Sequence, residues 1–221
     1  MQYCGKGVVS TNSMRTFLII LISSFLGSCW CDKEHNYYLL TKTKEYFAPL
    51  SDGSYLVFTD KVDSTISDTL TLRKYSRKME FEYTESKCDG DNFETITYEL
   101  ISNDLEDSLR VSMSSGPNID QYRISGKFRN IEIVCSHTID VRTHKFEFSA
   151  YGKDILEEFQ TYQIKNATFS NVVKLTFTQL KYDNHIPKYA HSKNIGLIEF
   201  TGFDQLGKVE KTYYLKSYVR K

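Results

Sequence analysis

The sequence predicts an all-β domain: an antiparallel sandwich or a curled, partly closed barrel of about 10–12 strands, with one short helix near residues 153–160. Three observations predict it. From Tyr46 onward apolar and polar residues alternate with period two, the pattern of strands that bury one face and solvate the other. The alternating runs are short and are separated by turn-forming residues. Apolar spacing of three and four residues stands out at one place, Ile155, Leu156, Phe159 and Tyr162.

The chain opens on an export signal. Met14 to Cys29 reads MRTFLIILISSFLGSC. Arg15 is a positive start, Phe17 to Leu26 is an apolar core broken only by Ser23 and Ser24, and small residues follow, which is the layout of a secretory signal peptide over residues 1–28. The apolar run is shorter than the roughly 20 residues of a spanning helix. Met14 is a more natural start for such a signal than Met1. Leu26-Gly27-Ser28-Cys29 resembles the lipobox of bacterial lipoproteins, which implies a diacylglyceryl group on the Cys29 thiol and cleavage before it. Buried acyl chains at about 0.8 kcal/mol per CH₂ then hold a domain on a membrane. Residues 29–43, polar and charged after Trp30, read as a tether, and 44–221 as one domain.

Within the domain, Pro49 and Gly53 set a turn before the first strand, Tyr55–Thr59. Strands follow at Thr69–Tyr75, Met79–Tyr83, Ile96–Leu100, Leu109–Met113 and Tyr122–Phe128, where Gly126 reads as a bulge. Ile131–Cys135, Phe146–Phe148, Val173–Phe177, Gly196–Thr201 and Thr212–Val219 complete the set. Asp89 to Asn92, Ser114 to Asn118 and Gly202 to Gly207 supply turns. Asp154 is a suitable N-cap for the helix.

Composition narrows the function. Lys+Arg and Asp+Glu number 28 each. Removing residues 1–28 takes away Lys6 and Arg15 and no acid, leaving 26 basic against 28 acidic groups, a net −2. A nucleic-acid partner is not expected of that balance. Of the five cysteines, Cys4 leaves with the signal, Cys29 is the lipidation site and Cys31 lies in the tether. Cys88 and Cys135 remain as a candidate disulfide in an oxidising compartment, or as two separate buried thiols.

Chemistry-bearing motifs are scarce. His137, Asp140 and His144 could gather across a hairpin turn, but a metal site needs at least three converging ligands, and two exposed hairpin histidines are the simpler reading. His185 and His191 flank Pro187 in a loop. The acidic run Asp89, Asp91 and Glu94 lacks the calcium-loop spacing, and Asp60, Asp63 and Asp68 read as a solvated loop. No G-x-S-x-G, H-E-x-x-H, P-loop or G-x-G-x-x-G occurs. No catalytic residue, metal ligand or cofactor is therefore assigned. Aromatics are the one excess, with 16 Tyr and 14 Phe.

Two stretches resemble an uncharacterised family of Bacteroidota outer-membrane lipoproteins. Tyr46-Phe47-Ala48-Pro49-Leu50-Ser51-Asp52-Gly53-Ser54-Tyr55-Leu56-Val57-Phe58 is similar to its F-x-P-L-x-x-G-x-x-W-x-Y opening. Tyr189-Ala190-His191-Ser192-Lys193-Asn194-Ile195-Gly196-Leu197-Ile198-Glu199-Phe200 is similar to its YYAKGVGLIKF ending. Tyr55-Leu56-Val57 replaces the Trp-containing strand, and Ser192-Lys193-Asn194 lengthens the second motif. The resemblance implies an all-β domain, lipid-anchored to the outer membrane on its periplasmic face or at the cell surface. It assigns no functional residue. The expected role is a non-catalytic binding module for a small apolar or glycan ligand. The alternative is an accessory subunit of an outer-membrane protein complex. A cavity lined by Phe and Tyr favours the binding module, and a flat exposed apolar patch the accessory subunit.

Overall fold

The computed structural model describes residues 34–83, 90–103, 107–129, 131–147, 155–176, 188–203 and 210–221. In these, the period-two runs are strands almost throughout. The chain begins with β1 (Asn36–Tyr37) and a short helix, α1 (Thr41–Phe47). A run of antiparallel strands follows: β2 (Tyr55–Asp60), β3 (Ser67–Glu82), β4 (Asp91–Ser102), β5 (Ser108–Ser114), β6 (Ile119–Phe128) and β7 (Ile131–Asp140). Then come β8 (Phe146–Glu147), β9 (Ile155–Ile164), β10 (Ala167–Thr176), β11 (Lys188–Ser192), β12 (Gly196–Phe203) and β13 (Glu210–Val219).

The sheet closes on itself. Its neighbours run β7-β6-β5-β4-β3-β2-β13-β12, and Phe203 of β12 pairs back to Glu132 of β7. The result is an eight-stranded antiparallel barrel, so of the two expected architectures the barrel is the one formed. β8 extends the sheet beyond β7, β11-β10-β9 extend it beyond β12, and β1 runs parallel to β4. Backbone pairing across the closing seam is confined to one residue pair. Tyr189 reinforces it, donating its hydroxyl to the Val134 carbonyl at 2.9 Å.

Eight strands leave an interior just wide enough for side chains to fill. Strict alternation supplies the filling: Ile131, Ile133, Cys135, His137 and Ile139 of β7 point in, while Glu132, Val134 and Ser136 point out. At one end Phe58, Phe128, Phe200 and Tyr213 pack with ring centroids 4.8–6.2 Å apart. At the other end α1 sits in the mouth and sends Phe47 inward, stacked on Tyr122 at 4.2 Å. Among the described residues no helix is long and apolar enough to cross a membrane.

Four local expectations are corrected. The helix near 153–160 is instead strand β9, with nine residues paired to β10. As an edge strand it is half-exposed on both faces, so its apolar residues need not alternate, and their spacing imitates a helix; the ladder overrides the local preference. The expected strands 69–75 and 79–83 are one sixteen-residue strand, β3, kinked by a bulge between Arg73 and Ser76, where Lys74 has φ 56°. Gly126 is not a bulge, because β6 pairs without a register shift. Its φ is 148°, and a Cβ there would lie 2.1 Å from the Ser108 carbonyl oxygen, so glycine is required for close strand approach. Finally, the tether does not extend to residue 43: Leu39 and Thr43 are buried and α1 is part of the core.

The two motifs at 46–58 and 189–200 meet in space. Gly196, at φ 93°, places its backbone against Pro49, with 3.5 Å from an ideal Cβ to Pro49 Cγ. The Asn194 amide donates to the Glu45 carbonyl at 2.7 Å, and Phe47 and His191 ring centroids lie 4.9 Å apart. Phe47 is 1 % exposed, so Phe47→Ala should cost about 3–5 kcal/mol in urea unfolding. Tyr38→Ala, at an exposed position, should change stability by no more than about 0.5 kcal/mol.

Candidate binding site

The mouth of the barrel is held by carboxylates at inward positions. Glu94 continues the inward series of Ile96, Tyr98 and Leu100, and Asp120 that of Tyr122 and Ile124. Both lie where their strands meet α1. Glu94 accepts the Leu39 amide and the Lys44 ammonium, each at 2.8 Å, and Arg77 at 2.5 Å. Burial acts to raise its pKa, but the bonds from Lys44, Leu39 and Arg77 outweigh it and hold the carboxyl below its ordinary value. Asp120 accepts the Leu40 amide at 2.7 Å and the Thr43 hydroxyl at 2.5 Å. Here burial wins and the pKa is raised. Tyr98 donates its hydroxyl to the Phe47 carbonyl at 2.5 Å. The amides of Leu39 and Leu40, in the segment that leads into α1, thus bond to buried acids.

Below this layer lie two fully buried histidines. His137, Asp140 and His144 do not gather, and the simpler expectation of two exposed hairpin histidines holds for His144 only. His137 points into the barrel, whereas His144 is exposed in the β7–β8 turn at φ 55°. Asp140 shapes that turn, accepting the Arg142 and Thr143 amides. His137 instead meets His191, which lies in β11 rather than a loop; their ring centroids are 6.0 Å apart and both rings pack on Phe47. His191 Nε2 and the Tyr122 hydroxyl form a hydrogen bond of 3.1 Å. His137 Nδ1 lies 3.6 Å from Cys135 Sγ. Among the described residues His137 Nε2 and His191 Nδ1 have no hydrogen-bond partner. Among the described residues no three His, Cys, Asp or Glu side chains converge on a metal position. Cys29, Cys31, Cys88, Asp89 and His185 lie outside the described residues. Asp68, expected to be solvated, is buried, accepting Ser102 Oγ with Arg129 Nε at 3.7 Å.

Among the described residues the inward side chains are buried, and open space is found on the outside of the barrel. A groove of about 650 Å³ runs over the outward faces of β3 to β7, within the range of small-molecule sites. Its floor is set by register: Ser112 pairs with Arg123, which pairs with Ser136, and Ser114 pairs with Gln121. One wall is the free arm of β3, with Glu80 and Glu82 beside Phe93; the other is the turn Ser115-Gly116-Pro117. Lys78 and then Thr95 bond Glu80 and hold its carboxyl ionised, below the ordinary value. Phe93 is half-buried and stacks on Tyr37, 5.4 Å between centroids at 13°. These outward residues were passed over in the sequence because Ser, Thr and Gln at solvent positions carry no signal of their own. Only the register places them side by side.

Burial holds both interior histidines neutral: His137 lies well below its ordinary value, and His191 is pulled down to about 3. The unfolded chain takes up these protons near pH 6.5, and the native protein does not. The histidines' contribution to stability is therefore complete above about pH 6.5 and is lost as the pH falls toward 3, at about 1.4 kcal/mol per pH unit for each ring. Asp120 has the opposite sign, since its raised value favours the native state as it protonates. Urea unfolding from pH 7.5 to 5 should show falling stability, and His191→Gln should reduce the slope by about one proton. An unchanged slope in that variant would contradict the assignment.

No family model, no curated protein and no solved structure matches the chain.

Proposed function

We propose that the protein is a lipid-anchored binding module of the cell envelope that takes a glycan in the outward groove. The observation that carries this reading is the groove's lining. Ser112, Ser114, Thr95, Gln121, Arg123 and Glu80 offer hydroxyl, amide, guanidinium and carboxylate groups, which match the dense donors and acceptors of a sugar. Phe93 adds one apolar ring face, as sugar rings require on one side. The inward aromatic side chains are engaged with one another and with α1, so the polar outward groove is the better-supported site. The anchor is Cys29, by its lipobox, and it places the domain on the outer membrane.

A second reading is favoured by one feature. β9 ends the sheet, and much of its length is exposed, so its outer edge could accept a strand from an envelope protein. Glu157 and Glu158 on that strand are the charges that usually discourage such pairing, which leaves the groove as the better-supported site.

Binding of the full chain to an array of envelope oligosaccharides should reveal a ligand. Arg123→Ala should weaken it about 10- to 100-fold through loss of charge-assisted hydrogen bonds, with the urea midpoint unchanged. Equal binding by this variant would contradict the groove. In cells, Cys29→Ala should abolish palmitate labelling; retained labelling would remove the anchor from the account.

A further inference from the structure

The described chain starts at the same end of the barrel as its largest exposed apolar side chains. Tyr38, Tyr55, Met79, Phe81, Tyr83 and Tyr218 are all exposed. Register puts them toward one end: Tyr55 opens β2 and pairs with Val219, next to Tyr218, and β3 runs on past Thr71, the partner of Tyr55, to Met79 and Phe81 farther out. This is the α1 end. Val62, in contrast, lies in the β2–β3 turn at the far end and Ile155 opens β9 there.

The free arm of β3 has two unlike faces. Glu80 and Glu82 line the groove. Met79, Phe81 and Tyr83 lie on the opposite face, with Phe81 and Tyr83 edge-to-face at 4.9 Å. Arg77, on that face, is tied to Glu94, and Lys78 to Glu80, so the arm adds little free positive charge. What it offers is aromatic and thioether surface of the kind that settles at the boundary between headgroups and acyl chains.

Glu34 and β1, where the described residues begin, lie beside this arm. Asn36 of β1 pairs with Asn92 of β4, and Asn92 pairs with Phe81 of β3. The Asn36 and Phe81 backbones are thus two strand spacings apart, about 10 Å. Glu34 is bonded to Asn92 at 3.0 Å. Five residue steps separate Cys29 from Glu34, a reach of at most about 18 Å. We infer that the α1 end of the barrel, led by Met79, Phe81 and Tyr83, rests on the lipid surface that holds the anchor. The inference rests on lipidation of Cys29, as proposed above. A short leash confines the domain to the bilayer, and even weakly apolar contacts then fix which end faces it.

The test uses full-length protein purified in its membrane-derived form and placed in phospholipid vesicles carrying a diazirine-bearing phosphatidylethanolamine. Intact mass is read first, and it should include the acyl groups. After irradiation, lipid adducts should map to the peptide holding residues 79–83. Phe81→Ser/Tyr83→Ser should reduce those adducts at least fivefold, with the acyl mass and the urea midpoint unchanged. Acylated protein with no adducts on 79–83, or with equal labelling of the far-end turn at 61–66, would overturn the docking inference while leaving the anchor intact. A chain without acyl mass would overturn the anchor reading, and the docking with it, at the first measurement.

Discussion

The structure depends on Phe47 entering the mouth of the barrel. Its ring lies on Tyr122 and against His137 and His191, and its carbonyl accepts the Tyr98 hydroxyl. An eight-stranded barrel whose mouth were empty would expose that aromatic layer to water. α1 is too short to be stable alone; Glu94 and Asp120 hold it by the Leu39 and Leu40 amides just ahead of it, the Thr43 hydroxyl and the Lys44 ammonium, and packing fixes its last residues. Removing either acid would leave buried amides without partners.

From this follows the separation of stability from function. The polar groups inside the barrel lock the mouth, and they sit away from water. The polar groups of the groove face outward, set side by side by strand register, with Glu80 held by Lys78 and Thr95. A ligand can therefore meet Arg123 or Gln121 without disturbing Phe47. The β3 arm serves both sides, since its acidic face borders the groove and its aromatic face turns away from it.

Much of the fold was legible. Period two identifies the strands, and the same parity places His137 with Ile133, Cys135 and Ile139, and Glu94 with Ile96 and Tyr98. Carried to strand ends, parity would have found both buried acids and the inward histidine. Reading His137 through its neighbour Asp140 hid this, because hairpin proximity competes with strand parity. β9 was illegible for a different reason: an edge strand exposed on both faces has no single apolar side, so Ile155, Leu156, Phe159 and Tyr162 mimic a helix. α1 was missed because Thr41 to Phe47 holds barely two turns and its partners, Glu94, Asp120 and His191, lie roughly 50 to 150 residues away in sequence. The two motifs did announce a relation that only the fold explains: Pro49 lies against Gly196.

α1 belongs to the barrel's core and is not a loose lid over a cavity. Native-state hydrogen exchange at the Leu39 and Leu40 amides tests it most directly, because those two groups bond to the buried acids. The account predicts that they exchange only with global unfolding, with opening free energies that merge with those of β2 and β12 as urea rises. Exchange through a small, urea-independent opening while β2 and β12 stay protected would contradict it.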